Sequence, residues 1–149
     1  MSKNAKIVIG IVIAIVVAVV GYSILNTEQK EIGSLKIGLI AGLSGEYSFI
    51  GENHVKGVSL ARKVYLSENP GAQIELIIED DQFDSKRGVS AYKKLAEIDK
   101  VDALINMTSP TINAIYNSVA QTNIPVIQSG EQGQDPVDDN VFQMLPANI

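Results

Sequence analysis

From Leu35 onward the chain alternates short apolar runs with longer stretches in which apolar residues recur every three or four positions. Continuous runs predict strands buried in a sheet, and the spaced stretches predict amphipathic helices. The first strand is Leu35 to Ile40, and the long loop after it holds Gly42, Gly45 and Gly51. A helix follows with Val55, Val58, Ala61 and Tyr65 on its buried stripe, and Pro70 and Gly71 end it. Gln73 to Glu79 is the second strand, nearly continuous in Ile and Leu as befits a strand covered on both faces. Asp84 or Ser85 caps the next helix, whose stripe is Val89, Tyr92, Leu95 and Ala96. Ala103 to Ile105 is a short third strand. Ser109 caps a third helix with Pro110 in its first turn and Ile112, Ile115, Tyr116 and Val119 on its apolar face. Pro125 to Gln128 and Val141 to Met144 complete the set.

Strands alternating with helices define an α/β fold with a doubly wound parallel sheet, here of expected strand order 2-1-3-4-5. Such sheets bind ligands beyond the carboxyl ends of their strands. Function is therefore expected in the loops Gly42 to Gly51, Asp80 to Asp84, Asn106 to Thr111 and Gln128 to Gly133.

The pattern before Leu35 is of another kind. Ile7 to Val20 is unbroken Ile, Val, Ala and Gly, and Ile7 to Leu25 as a helix reaches about 28 Å, close to the ~30 Å hydrocarbon core of a bilayer. Lys3 and Lys6 precede the run and no acidic residue comes before Glu28, the charge order of a segment inserted with its N-terminus in the cytoplasm. The chain thus divides into a cytoplasmic stretch at 1–6, a transmembrane anchor or signal peptide at 7–25, a polar tether at 26–34 and an extracytoplasmic lobe at 35–149. No A-x-A sequence follows the apolar run, which favours a retained anchor over a cleaved signal.

Composition removes several kinds of chemistry. The chain has no cysteine, so disulfides, thiolate metal sites, a cysteine nucleophile and a lipid-bearing N-terminal cysteine are all excluded. Its 12 basic and 17 acidic residues give a net charge of −5 with no basic cluster, and nucleic acid is not an expected partner. His54 is the single histidine, so neither a Ser-His-Asp triad nor a multi-histidine metal site can be assembled; it is expected as an exposed first-turn residue. No metal or cofactor is expected.

The loop from Gly42 to Gly51 carries glycines but no G-x-x-x-x-G-K-[ST] and no tight G-x-G-x-x-G, so it does not read as a phosphate loop. It reads as a wide loop presenting Ser44, Tyr47 and Phe49 to a cleft. Glu79, Asp80, Asp81 and Asp84 invite a Mg²⁺ reading, yet a phosphoacceptor domain would place its acidic pair after the first strand, so a solvated turn plus helix cap is expected. Ser109, at a helix start with backbone N–H groups around it, can accept a ligand carboxylate. The neighbouring loop from Gln128 to Gly133 can close the other side of that site through its backbone and Gln132.

Ile37 to Gly45, the later Gly51-Glu52 and Gly57, the strand and loop Ile74 to Gln82, Lys94-Leu95 before Val101 to Ile105, and Ile124 to Ile127 together resemble the branched-chain amino acid (Leu/Ile/Val) binding protein family. These are type I periplasmic substrate-binding proteins of ABC transporters. The resemblance implies two α/β lobes, an amino acid or related small molecule held between them, delivery to a membrane permease, and no enzymatic activity. It implies that Ser109 on one side, and Gly130 and Gln132 on the other, grip the ligand's carboxylate and ammonium. Members often set an aromatic residue against the ligand where Ile50 stands, a role that passes here to Tyr47 or Phe49. Glu131 departs from the small, hydroxyl-rich loop usual at that place, and position 149 falls about where the family's chain crosses into its second lobe. The same lobe pair also serves as the ectodomain of membrane sensors, and a small flavodoxin-like enzyme is a third, less favoured class.

Overall fold

The computed structural model describes residues 34–130 and 140–144. The expected cytoplasmic stretch, the apolar span at 7–25 and the tether up to residue 33 lie outside the described residues, as does Gln132. Among the described residues no helix is long and apolar enough to cross a membrane.

Strands β1 (Leu35–Ala41), β2 (Ile74–Asp80), β3 (Ala103–Asn106), β4 (Val126–Gln128) and β5 (Val141–Gln143) form one sheet. Its order is β2-β1-β3-β4-β5 with every pairing parallel, as the sequence pattern predicts. The connecting helices are α1 (Ser48–Glu68), α2 (Ser85–Lys93) and α3 (Ser109–Val119). A π-helical turn, Lys94–Asp99, prolongs α2. From β1 the chain steps to one side of the sheet to make β2, then steps back past β1 to make β3, β4 and β5. Right-handed crossovers therefore put α1 on one face and α2 and α3 on the other.

The α2/α3 face holds the core. Ile40, Leu104 and Val126 from the sheet pack with Tyr92, Leu95, Ile112, Ile115 and Val119, all buried. The Tyr92 hydroxyl, at the rim, lies 3.1 Å from Thr122 Oγ1 and so meets a polar partner beyond α3. On the α1 face the register aligns Ile78, Leu39, Ile105, Ile127 and Phe142 in one row across the sheet. Leu39 is fully buried, whereas Ile78 and Ile127 are each 37% exposed and Phe142 is 56% exposed.

Two sequence expectations are corrected here. The second strand was expected to be covered on both faces, but β2 is the edge strand and its Ile and Leu residues are only partly buried. The helix α1 begins at Ser48, inside what reads as loop, and of its expected stripe Val55 and Val58 are half-buried while Ala61 and Tyr65 are exposed.

Candidate functional site

At the carboxyl edge of the sheet, four loops surround a cleft of about 590 Å³. Tyr47 enters from the β1–α1 loop, Ile50 and His54 from the start of α1, and Phe83 from the β2–α2 loop. Met107, Thr108, Ser109 and Pro110 come from the β3–α3 junction, and Gly130 follows β4. The fold thus brings together three residues named from sequence, Tyr47, Ser109 and Gly130. Phe49 is 61% exposed and is not among the residues lining the cleft.

Behind this lining, the consecutive carboxylates at the end of β2 fix the loops that carry it. Asp80 Oδ1 accepts from the N–H of Leu43 at 2.7 Å and of Gln82 at 2.9 Å, and its Oδ2 accepts from Ser44 Oγ at 2.6 Å. Burial works against the charged form, but the Ser44 hydroxyl and the N–H groups of Leu43, Gln82 and Ser44 outweigh it and hold Asp80 below the ordinary carboxylate value. Ser44 is therefore spent on fixing its own loop to β2, which corrects the expectation that it faces a ligand.

Asp81 is wholly buried, which overturns its reading as part of a solvated turn. Its Oδ2 accepts from the hydroxyls of both Thr108 and Thr111, and its Oδ1 accepts from the Phe83 N–H at 3.1 Å. A buried carboxylate is tolerated when its lone pairs are met in this way, and here the partners tie the first turn of α3 to the β2 exit. Thr108, not Ser109, is the N-cap of α3, and its side chain serves Asp81 instead of capping the helix. Ser109 is the first residue of the helix, with Pro110 beside it. Asp84 does cap α2, accepting from the Arg87 N–H at 2.9 Å.

Between these carboxylates, Gln82 and Phe83 take left-handed backbone conformations with φ of 51° and 56°. Such conformations cost of order 1 kcal/mol each for non-glycine residues, and the amide bonds to Asp80 and Asp81 offset that cost. The result is to aim Phe83 across the loop onto Tyr47, edge-on at 5.5 Å between ring centres and 66° between planes. On the far side Gly130 passes so close to Met107 that an added Cβ would lie 1.6 Å from its carbonyl oxygen. Only glycine allows the β4 exit to close against the β3 exit there.

His54 is the seventh residue of α1, half-buried, and it lines both the cleft and an adjoining apolar hollow beside Ile105, Ile127 and Met144. This corrects its reading as an exposed first-turn residue: α1 starts earlier than the glycine-bearing loop suggested. Ile50, Phe83, Met107, Thr108 and Pro110 lie in loops where function was expected but were not named as site residues, and His54 lies outside those loops. A phenylalanine inside an acidic loop was the one available signal.

A parallel sheet with a ligand-sized cleft over its carboxyl edge, lined by aromatic rings and a helix start, belongs to the class of α/β binding lobes. The sequence matches the profile of the periplasmic binding protein family over residues 34–148, and the chain belongs to that family. Solved structures agree on the fold. The chain is 26% identical to the ABC transporter solute binding protein of R. palustris in complex with benzoate, with a TM-score of 0.67 over 74% of this chain and 32% of that one. It is 25% identical to an ABC transporter substrate-binding protein from Sphaerobacter thermophilus, with a TM-score of 0.64 over 74% of this chain and 32% of that one. The branched-chain amino acid transporter substrate binding protein of Streptococcus pneumoniae, in complex with isoleucine, shares the fold at 23% identity and a TM-score of 0.68, over 74% of this chain and 33% of that one. The chain spans about a third of the length of these proteins. No curated protein matches it.

Proposed function

We propose that this chain forms the first ligand-binding lobe of an extracytoplasmic solute-binding protein of an ABC transporter. A small carboxylate, an amino acid or a related molecule, sits against Ser109 and Gly130 with its apolar body on Tyr47, and is handed to a membrane permease. Gln132 and Phe49 belong to the same proposal, from the loop after β4 and the start of α1. The apolar stretch at 7–25 holds the lobe at the outer face of the membrane, with Lys3 and Lys6 inside. A cleaved segment would leave the lobe periplasmic or secreted.

The observation that carries this reading is the convergence of Tyr47, Ser109 and Gly130 on one cleft at the carboxyl edge of the sheet. Support for a carboxylate comes from the start of α3, where the N–H groups of an 11-residue helix and its positive dipole end meet the Ser109 hydroxyl. The 26% identical relative in complex with benzoate favours the same ligand chemistry. In a two-lobed protein assembled on this lobe, Ser109→Ala weakens carboxylate binding by about 1.5 to 3 kcal/mol, the range for a hydrogen bond to a charged group. Isothermal calorimetry reads the change, and unaltered affinity removes Ser109 from the site.

A further inference from the structure

Asn106 ends β3 and is wholly buried. It is the register partner of Gln128 at the end of β4, and both side chains lie on the α2/α3 side of the sheet with Leu104 and Val126. The Asn106 side-chain amide donates one N–H to the carbonyl oxygen of Thr108 at 2.7 Å and the other to Gln128 Oε1 at 2.6 Å. Its backbone carbonyl accepts from the Ser129 N–H at 2.9 Å and from the Ser129 hydroxyl at 3.3 Å. One residue therefore reaches two of the exits that build the cleft, the N-cap of α3 beside Ser109 and the turn after β4 beside Gly130. Thr108 is gripped from two directions, its hydroxyl directed to Asp81 at the β2 exit and its carbonyl to Asn106. A backbone carbonyl can only accept, which fixes the amide nitrogen on that side and turns Oδ1 away. Among the described residues no donor reaches Oδ1, although it is buried. A buried acceptor without a partner lowers stability, and an apolar side chain at this position would avoid it. What the amide adds is two N–H groups at fixed places, which a leucine lacks and an aspartate replaces by acceptors.

We propose that Asn106 is a positioning residue for ligand binding: a buried crosspiece that sets the spacing between Ser109 on one exit and Gly130 on the other, so that both meet a carboxylate at once. The inference rests on the cleft being the ligand site, and it assigns that site a support the ligand does not touch. Asn106 is not among the residues lining the cleft, so its effect passes through Thr108, Gln128 and Ser129. Groups that must act together bind best when buried hydrogen bonds set their spacing in advance, because the ligand then does not have to order them. The contact between Gly130 and the Met107 carbonyl keeps the two exits close, and the Asn106 amide fixes how they stand to each other.

The test is an NMR titration of the 149-residue chain with sodium benzoate, at an ionic strength held constant with sodium chloride. The expected signature is that the side-chain NH₂ signals of Asn106 shift in step with the backbone amides of Ser109 and Gly130. The side-chain NH₂ of Asn69, bonded to the Tyr65 carbonyl beyond the far end of α1, stays still and serves as the control. This signature is read on the wild-type chain, so the test does not depend on any variant folding. Asn106→Ala, which removes both donors, should raise the half-saturating benzoate concentration about fivefold or more. Asn106→Asp, of nearly the same size, should raise it as well, since a carboxylate offers the Thr108 carbonyl no hydrogen. Ile115→Val, a trimmed core residue in the middle of α3, should lower the urea midpoint and leave the half-saturation unchanged. If Ser109 and Gly130 respond to benzoate while the Asn106 NH₂ stays fixed, the proposal is overturned and the site survives. Wild-type half-saturation in Asn106→Ala or Asn106→Asp overturns it too, as does an equal weakening in Ile115→Val, because general loosening would then explain the loss. No response at Ser109 or Gly130 in the wild type overturns the site and the inference together.

Discussion

Asp80 and Asp81 are adjacent, and the pleat of β2 sends them to different tasks. Asp81 goes inward to Thr108, Thr111 and the Phe83 amide; Asp80 goes outward to Ser44 and the amides of Leu43 and Gln82. Because the folded state holds Asp80 below its ordinary value of 3.8, the unfolded chain binds the proton more readily. The stabilisation is therefore fully present above that value and is lost as pH falls through the lowered folded value. Asp80→Asn, which removes the charge and the Ser44 acceptor geometry, costs about 1 kcal/mol near pH 7. The gap between wild type and variant should close as pH drops below about 4. Urea unfolding at a series of pH values measures it, and a gap that persists at low pH would refute the assignment. The sequence names these residues without their surroundings: Asp80-Asp81-Gln82-Phe83-Asp84 reads as a wet turn because the two hydroxyls that bury Asp81 lie 27 and 30 residues away. For the same reason His54 could be placed only by knowing where α1 begins.

At the scale of elements, the strands and their order were legible because a short, largely apolar run with turn residues on either side has few alternatives to a sheet position. Coverage was less legible. The Ile and Leu of β2 fit a central strand as well as an edge one, and only the order of the sheet decides between them. Contacts between helices were not legible at all. Helix α2 meets α3 at Gly88, where an added Cβ would lie 2.0 Å from Thr111 Oγ1 and 2.7 Å from its Cβ and Cγ2. Thr111 cannot rotate aside without releasing Asp81. Alanine usually favours a helix over glycine by about 1 kcal/mol, yet Gly88→Ala should destabilise the lobe by about 1 to 3 kcal/mol, because overpacking at a fixed contact outweighs propensity. A lower denaturation midpoint with an unchanged slope is the expected reading. A midpoint at or above that of wild type would show that the two helices separate freely.

At the scale of the whole molecule, every described residue of the cleft comes from a loop or a helix start on one edge of one sheet, so the described residues offer a ligand a single wall. Binding proteins of this class enclose their ligand, and enclosure is what strips water from a charged group and strengthens the hydrogen bonds that hold it. The relatives are about three times as long as the stretch aligned here, room enough for the opposing wall. Against one wall a carboxylate would keep most of its hydration, and the aromatic pair Tyr47 and Phe83 would cover at most one face of a ligand body. The 149-residue chain should therefore bind benzoate, isoleucine and similar small carboxylates no more tightly than about 1 mM, or about −4 kcal/mol. Such weak binding still registers as fast-exchange shifts at Ser109 and Gly130. Joining the lobe to a second one should tighten binding at least tenfold, a gain of about 1.4 kcal/mol or more. Micromolar binding by the monomeric chain would mean that one wall suffices, and would count against a cleft that works by enclosure.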